Sequence, residues 1–256
     1  MNILIHVYKS IFPLILLLAS CFGSVAQSNL FSFEKYFNKN GDSLNYRLLM
    51  TDYSPASKYP LVVFLHGSGE RGDDNKAQLK WGVLNFASSQ NMKLHPSIII
   101  APQLPKEMNW DNFTSEDKFK PSPSKTMKLL KELIDETIKN MPVDTNRIYI
   151  TGLSLGGFGT FDALARYPNL FAAAVPVCGG GDISTVKDFA HVPIWIFHGA
   201  IDESVTPNYS QNMFNALVNF GVKPGFTQYP EVGHFAWLAA YDDQMMIEWL
   251  YRQKKQ

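Results

Sequence analysis

The sequence predicts an α/β fold, a mostly parallel, doubly wound sheet with antiparallel strands at its N-terminal side. Continuous apolar runs recur along the chain, as strands buried on both faces require. Apolar residues at helical spacing fill the intervals between those runs. Strands alternating with helices fold as right-handed crossovers onto one sheet. The length of 256 residues suits a single domain. Lys+Arg and Asp+Glu balance at 23 each, so the basic face that nucleic acid demands is not expected. With two cysteines, a disulfide scaffold is excluded.

Residues 1–26 read as a bacterial export signal. Lys9 supplies the positive start, and the apolar stretch 11–18, interrupted by Pro13, is too short to span a bilayer. Two cleavage points compete. Leu18-Ala19-Ser20-Cys21 resembles a lipoprotein signal, in which Cys21 carries a lipid anchor. Ser24-Val25-Ala26 before Gln27 has the small residues of an ordinary cleavage site. Either cut leaves one domain over 27–256, expected to be periplasmic, secreted or held at the outer membrane. Cys178 then has no protein thiol to pair with and reads as a small buried apolar residue.

Residues 31–37 and 44–51 alternate apolar and polar, with Asn40-Gly41 between them as a hairpin signal. The buried strands follow at 59–65, 97–101, 147–151, 171–177 and 192–197, with a weaker one at 225–229. Helical spacing covers 124–140, 155–167, 207–220 and 235–251. Residues 102–123 form a long loop carrying Trp110, Phe113 and Phe119. Loops of that length in a compact domain are usually functional.

Gly152-Leu153-Ser154-Leu155-Gly156 matches G-x-S-x-G between a strand and a helix. That setting makes Ser154 a candidate nucleophile on a sharp, strained turn. A serine needs a base, and the base an orienting carboxylate, in the chain order Ser, acid, His. His191, His198 and His234 follow Ser154. His234, in a turn before the last helix, is the candidate base. The acids between them are Asp162, Asp182, Asp188, Asp202, Glu203 and Glu231. Asp202 follows the end of a buried strand, where open α/β sheets place their sites, and is preferred; Asp182 is the runner-up. His66-Gly67-Ser68-Gly69 resembles the H-G-x-G loop of esterases. It offers the backbone N–H of Ser68, with that of Leu155, as an oxyanion hole. His66 precedes the serine and is expected to brace this loop rather than act as a base.

Together these residues resemble the α/β-hydrolase superfamily. Within it the chain is similar to family 1 carbohydrate esterases (feruloyl and acetyl-xylan esterases) and to the related predicted peptidases and phospholipase/carboxylesterase-like proteins. The resemblance rests on Tyr46-Arg47-Leu48-Leu49, His66-Gly67-Ser68-Gly69-Glu70-Arg71-Gly72-Asp73, Ala101-Pro102-Gln103 and Trp110. It continues through Gly152–Gly157, Cys178-Gly179-Gly180-Gly181-Asp182, His198-Gly199 with Asp202, and Gly233-His234. It implies an α/β-hydrolase fold and a serine esterase working through an acyl-enzyme without cofactor. It also implies that Gln103 and Trp110 line the substrate pocket.

About 14 residues separate the strands near Val177 and Val192, which leaves no room for a cap domain. An open site suits pendant acyl groups on a bulky carbohydrate, with Trp81, Trp110, Phe113 and Phe235 as a possible aromatic wall. A peptidase of the same superfamily and a non-catalytic glycan-binding lipoprotein are the alternatives. No zinc-ligand spacing, Walker loop or dinucleotide motif is present, so no metal or nucleotide is expected. The sequence carries no sign of oligomeric state.

Overall fold

The computed structural model describes residues 27–50, 54 and 56–255. The expected export signal and Cys21 lie outside the described residues.

Eight strands form one sheet: β1 (Ser32–Phe37), β2 (Ser43–Met50), β3 (Tyr59–Leu65), β4 (Ile98–Gln103), β5 (Val143–Leu153), β6 (Ala173–Val177), β7 (Trp195–Gly199) and β8 (Gly225–Tyr229). Their spatial order is β1-β2-β4-β3-β5-β6-β7-β8. β2 runs antiparallel to β1 and β4, and the remaining pairs are parallel. The α/β reading therefore holds, antiparallel side included. Among the described residues the sheet is covered on both faces by the helices α1 (Val83–Phe86), α2 (Ser89–Leu94), α3 (Lys125–Asn140), α4 (Leu155–Arg166), α5 (Val186–Phe189), α6 (Asn208–Asn219), α7 (Trp237–Asp242) and α8 (Gln244–Arg252).

The apolar runs are unbroken because each strand feeds two cores. Leu61, Val63 and Leu65 of β3 pack with Leu130 and Leu133 of α3, Phe161 of α4 and Met213 of α6. Val62 and Phe64 belong to the opposite core, with Phe86 of α1, Tyr241 of α7 and Leu250 of α8. At roughly 25 cal/mol per Å² of buried apolar surface, these two layers supply the main drive to fold.

Three elements depart from the sequence reading. β5 starts at Val143 rather than residue 147, because Asp144 to Arg147 form a half-exposed extension whose polar residues hide the strand pattern. The expected helix 235–251 is divided at Asp243. Asp243 takes an extended conformation, and its carboxylate caps α8 by accepting from the Met245 N–H at 2.8 Å. Short helical turns occupy 68–94, where no element was expected.

After β3 the chain crosses to β4 on one side, then returns to place β5 on the other. The crevice beyond the carboxyl ends of β3 and β5 is therefore the switch point at which such sheets build sites. The His66-Gly67-Ser68 loop and Ser154 both lie there.

Candidate active site

Ser154 follows β5 and precedes α4 with φ 54° and ψ −118°. A left-handed φ is costly for a residue with a Cβ. The Ser154 N–H donates to the Val177 carbonyl at 2.9 Å, which holds the turn in place. A Cβ on Gly152 would run into the Gly156 carbonyl, and one on Gly156 into the Leu65 carbonyl. Both glycines are required by this close approach of backbones.

The Ser154 Oγ lies 2.9 Å from His234 Nε2. His234 Nδ1 lies 2.7 Å from Asp202 Oδ2. A carboxylate only accepts, so the Nδ1 carries the proton and the Nε2 is free to accept the serine proton. The Oδ1 of Asp202 accepts from the backbone N–H groups of Ser204 and Val205, each at 2.9 Å. Burial of Asp202 opposes ionisation. The hydrogen bonds from His234, Val205 and Ser204 outweigh it and hold the carboxyl below the usual range. The edge of the Trp237 ring packs against the His234 imidazole, with centroids 4.9 Å apart. The structure thus brings the three residues together by way of the ends of β5, β7 and β8. Asp182 is elsewhere engaged: it caps a 3₁₀ turn through the Ser184 N–H and accepts from the Phe119 N–H.

Leu155 is the first residue of α4, so its N–H has no carbonyl partner within the helix. Ser68 opens a 3₁₀ turn directly after Gly67. A Cβ placed on Gly67 would sit 3.5 Å from the Ser154 Cβ, so the loop lies against the nucleophile turn. His66 braces it. The His66 Nε2 accepts from the Leu104 N–H at 2.9 Å, so its Nδ1–H donates to the Gly67 carbonyl at 2.6 Å. Burial pushes its pKa down to about 4, leaving the ring neutral.

Trp110 and Gln103 are placed otherwise than the resemblance implied. Trp110 is fully buried, and its indole N–H donates to the His66 carbonyl at 3.0 Å. Gln103 is also buried. Its amide accepts from the Asn75 N–H and donates to the Glu70 carbonyl and to Asp74. Both shape the loops under the site instead of offering a surface to substrate. Of the expected aromatic wall, Trp81 and Phe235 do meet edge to face at 6.0 Å beside His234, and Phe235 is 54% exposed. Phe113 packs with Phe119, Phe158 and Tyr209.

Two residues near the site carry contacts that the sequence reading, although it named both in its motifs, did not assign. Glu70 is buried with its carboxylate beside Gly67, and burial raises its pKa. His198 lies 3.2 Å from Asp202 Oδ2. The sequence signals for it are the His198-Gly199 motif and its i,i+4 spacing to Asp202 across a strand end. Among the described residues, the one cluster of metal-ligand types is Cys178, Asp202 and His234, with donor atoms within 4.8 Å. Its His234 and Asp202 atoms are already hydrogen-bonded to each other.

The sequence profile of the phospholipase/carboxylesterase family matches residues 53–246. A bifunctional acetylxylan esterase/xylanase of Neocallimastix patriciarum is 28% identical over 163 residues, spanning 62% of this chain but 22% of that protein. A solved thermostable esterase is 37% identical with a TM-score of 0.84, over 90% of this chain and 64% of its own. A ferulic acid esterase structure shares the fold at 17% identity, TM-score 0.69, over 87% and 98% of the two chains. The chain thus spans less than two thirds of the length of the first two of these relatives.

Proposed function

The chain belongs to the phospholipase/carboxylesterase family, and on that premise we propose that it hydrolyses carboxylic esters through Ser154, His234 and Asp202. The observation that carries this reading is the unbroken hydrogen-bond chain from Ser154 Oγ to His234 to Asp202, at 2.9 and 2.7 Å. The Ser154 Oγ attacks the acyl carbon while His234 Nε2 takes its proton. The backbone N–H groups of Ser68 and Leu155 receive the developing oxyanion. His234 returns the proton to the leaving alcohol, and water then releases the acyl group from the serine by the reverse sequence. Asp202 stabilises the imidazolium and fixes its tautomer. Removal of one oxyanion donor typically costs roughly 3–4 kcal/mol of transition-state stabilisation.

The substrate class is acyl groups on carbohydrate, such as acetyl or feruloyl esters of plant polysaccharide. Two features support it. Among the described residues, a 3₁₀ turn and the four residues of α5 are the elements between β6 and β7, so no cap domain is inserted there. Exposed Phe235 and Ile201 flank His234 and Asp202 and present apolar surface to an acyl group. The acetylxylan named in the Neocallimastix relative is of the same class.

Hydrolysis of p-nitrophenyl acetate and methyl ferulate by wild type and Ser154→Ala tests the reading. The variant is expected to lose on the order of 10⁴-fold or more in kcat. A folded wild type that does not exceed the buffer rate on either ester sinks the proposal. Export is proposed on the charged start and apolar run of residues 1–26. Fractionation of the producing cell checks it: a cytoplasmic product that retains residues 1–26 rules it out.

A further inference from the structure

His198 is the penultimate residue of β7, four residues before Asp202, with its side chain fully buried. Its Nε2 lies 2.9 Å from the Val205 carbonyl and 3.2 Å from Asp202 Oδ2. Both partners only accept, so Nε2 carries a proton. Its Nδ1 lies 2.6 Å from the Ser210 Oγ of α6, and that hydroxyl is also 2.9 Å from the Gly179 carbonyl. Ser210 has one proton to give. Burial pushes the His198 pKa down. The Ser210 hydroxyl donates its proton to the Gly179 carbonyl, and its oxygen faces Nδ1.

We propose that His198 is a positioning residue for the reaction: its Nε2–H, shared between Val205 and Asp202, holds Oδ2 where it receives the His234 Nδ1–H. The inference rests on the ester-hydrolysis reading above. Asp202 accepts three hydrogen bonds, from Ser204 and Val205 on Oδ1 and from His234 on Oδ2, and His198 Nε2 adds a close contact to Oδ2 at 3.2 Å. Rotation of the carboxylate breaks at least two of them. Without the His198 donor, Oδ2 keeps His234 alone. The carboxylate becomes more basic and swings more freely. A more basic Asp202 holds the His234 imidazolium more firmly, so a higher pH is needed to free the base. The titratable groups facing His198 are Asp202 and His234, and Cys178 faces Asp202 from the end of β6. Ser210 and the Gly179 carbonyl are uncharged.

The test compares kcat, KM and the pH profile of kcat/KM on p-nitrophenyl acetate for wild type, His198→Gln, His198→Asn and His198→Leu. Gln places an amide N–H where Nε2 stands. Asn keeps a polar partner for Ser210 but does not reach Asp202, and Leu fills the space without a donor. His198→Gln is expected within about threefold of wild type with its acid limb in place. Asn and Leu are expected to lose about 10-fold in kcat with KM little changed, and their acid limbs to move up by roughly half a pH unit. Thermal unfolding of each protein separates loss of fold from loss of rate. Acid limbs that coincide in all folded variants overturn the proposal, whatever happens to kcat. So does failure of both donor-free variants to fold while His198→Gln works normally, since the role is then structural. Ser154→Ala, run alongside, keeps the two readings apart. If it retains the wild-type rate, the ester-hydrolysis reading falls; if it is inactive while the limbs coincide, only the role of His198 falls.

Discussion

Asp162 and Asp202 are both buried carboxylates, and their surroundings give them opposite tendencies. Asp202 accepts three hydrogen bonds, which hold its carboxyl below the usual range. Asp162, on α4, accepts from the Arg166 Nε at 2.9 Å through Oδ1, while its buried Oδ2 has no partner. Burial pushes the Asp162 pKa up to about 6 against the pull of Arg166, and the nearby Asp111 carboxyl adds to the rise. A raised acid binds its proton more tightly in the folded state than in the unfolded chain. Stability from this residue is therefore greatest below the unfolded value near 4, falls as pH rises from about 4 to 6, and is lost above that. Asp162→Asn removes the titration. Urea unfolding of both proteins at several pH values is expected to show wild type losing up to roughly 3 kcal/mol relative to the variant across this window. A difference that stays flat with pH contradicts this account of Asp162.

At the scale of elements, legibility follows burial. β3, β4 and the end of β5 are buried on both faces, so their composition alone marks them as strands. After the buried Val143, the next residues of β5 face water, and Asp144, Thr145 and Asn146 look like loop. The turns over 68–94 are too short for a helical period to register. The nucleophile turn was readable because its glycines answer to backbone contact, which few other residues satisfy. Asp202 and His234 were readable because chain order and strand ends limit the choices. Trp110 and Gln103 were misplaced because a loop aromatic or a strand-end amide carries no directional signal. Their positions are set by partners far away in sequence, the His66 carbonyl and the loop at Glu70 to Asn75. The link between His198 and Asp202 had the same difficulty, since it depends on the course of the turn between them. The loop over 104–123 shows how such long-range ties work. Arg166 donates to the Lys120 and Pro121 carbonyls and to Asn112, while Ser124 caps α3 and donates to the Trp110 carbonyl.

Across the whole molecule, the reacting groups sit on parts of very different firmness. Ser154 follows β5, which lies between β3 and β6 in the middle of the sheet. His234 follows β8, an edge strand that is only half-buried and pairs with β7 alone. The turn before it is held by the Ile201 N–H to the Val232 carbonyl at 3.2 Å and by the Val232 N–H to the Tyr229 carbonyl at 3.4 Å, both long for their kind. Phe235, next to His234, breaks the helical geometry. Segments with long hydrogen bonds and little cover open locally at free energies well below that of global unfolding. In rising urea, esterase activity is expected to reach its midpoint before the far-UV circular dichroism of the sheet, and to return on dilution. Superimposed curves would show instead that the edge and the centre let go together. On the proposed mechanism, the exposed margin that holds His234 is then expected to act as a fuse. Mild stress disarms the protein by fraying one border while the folded body survives to be rearmed.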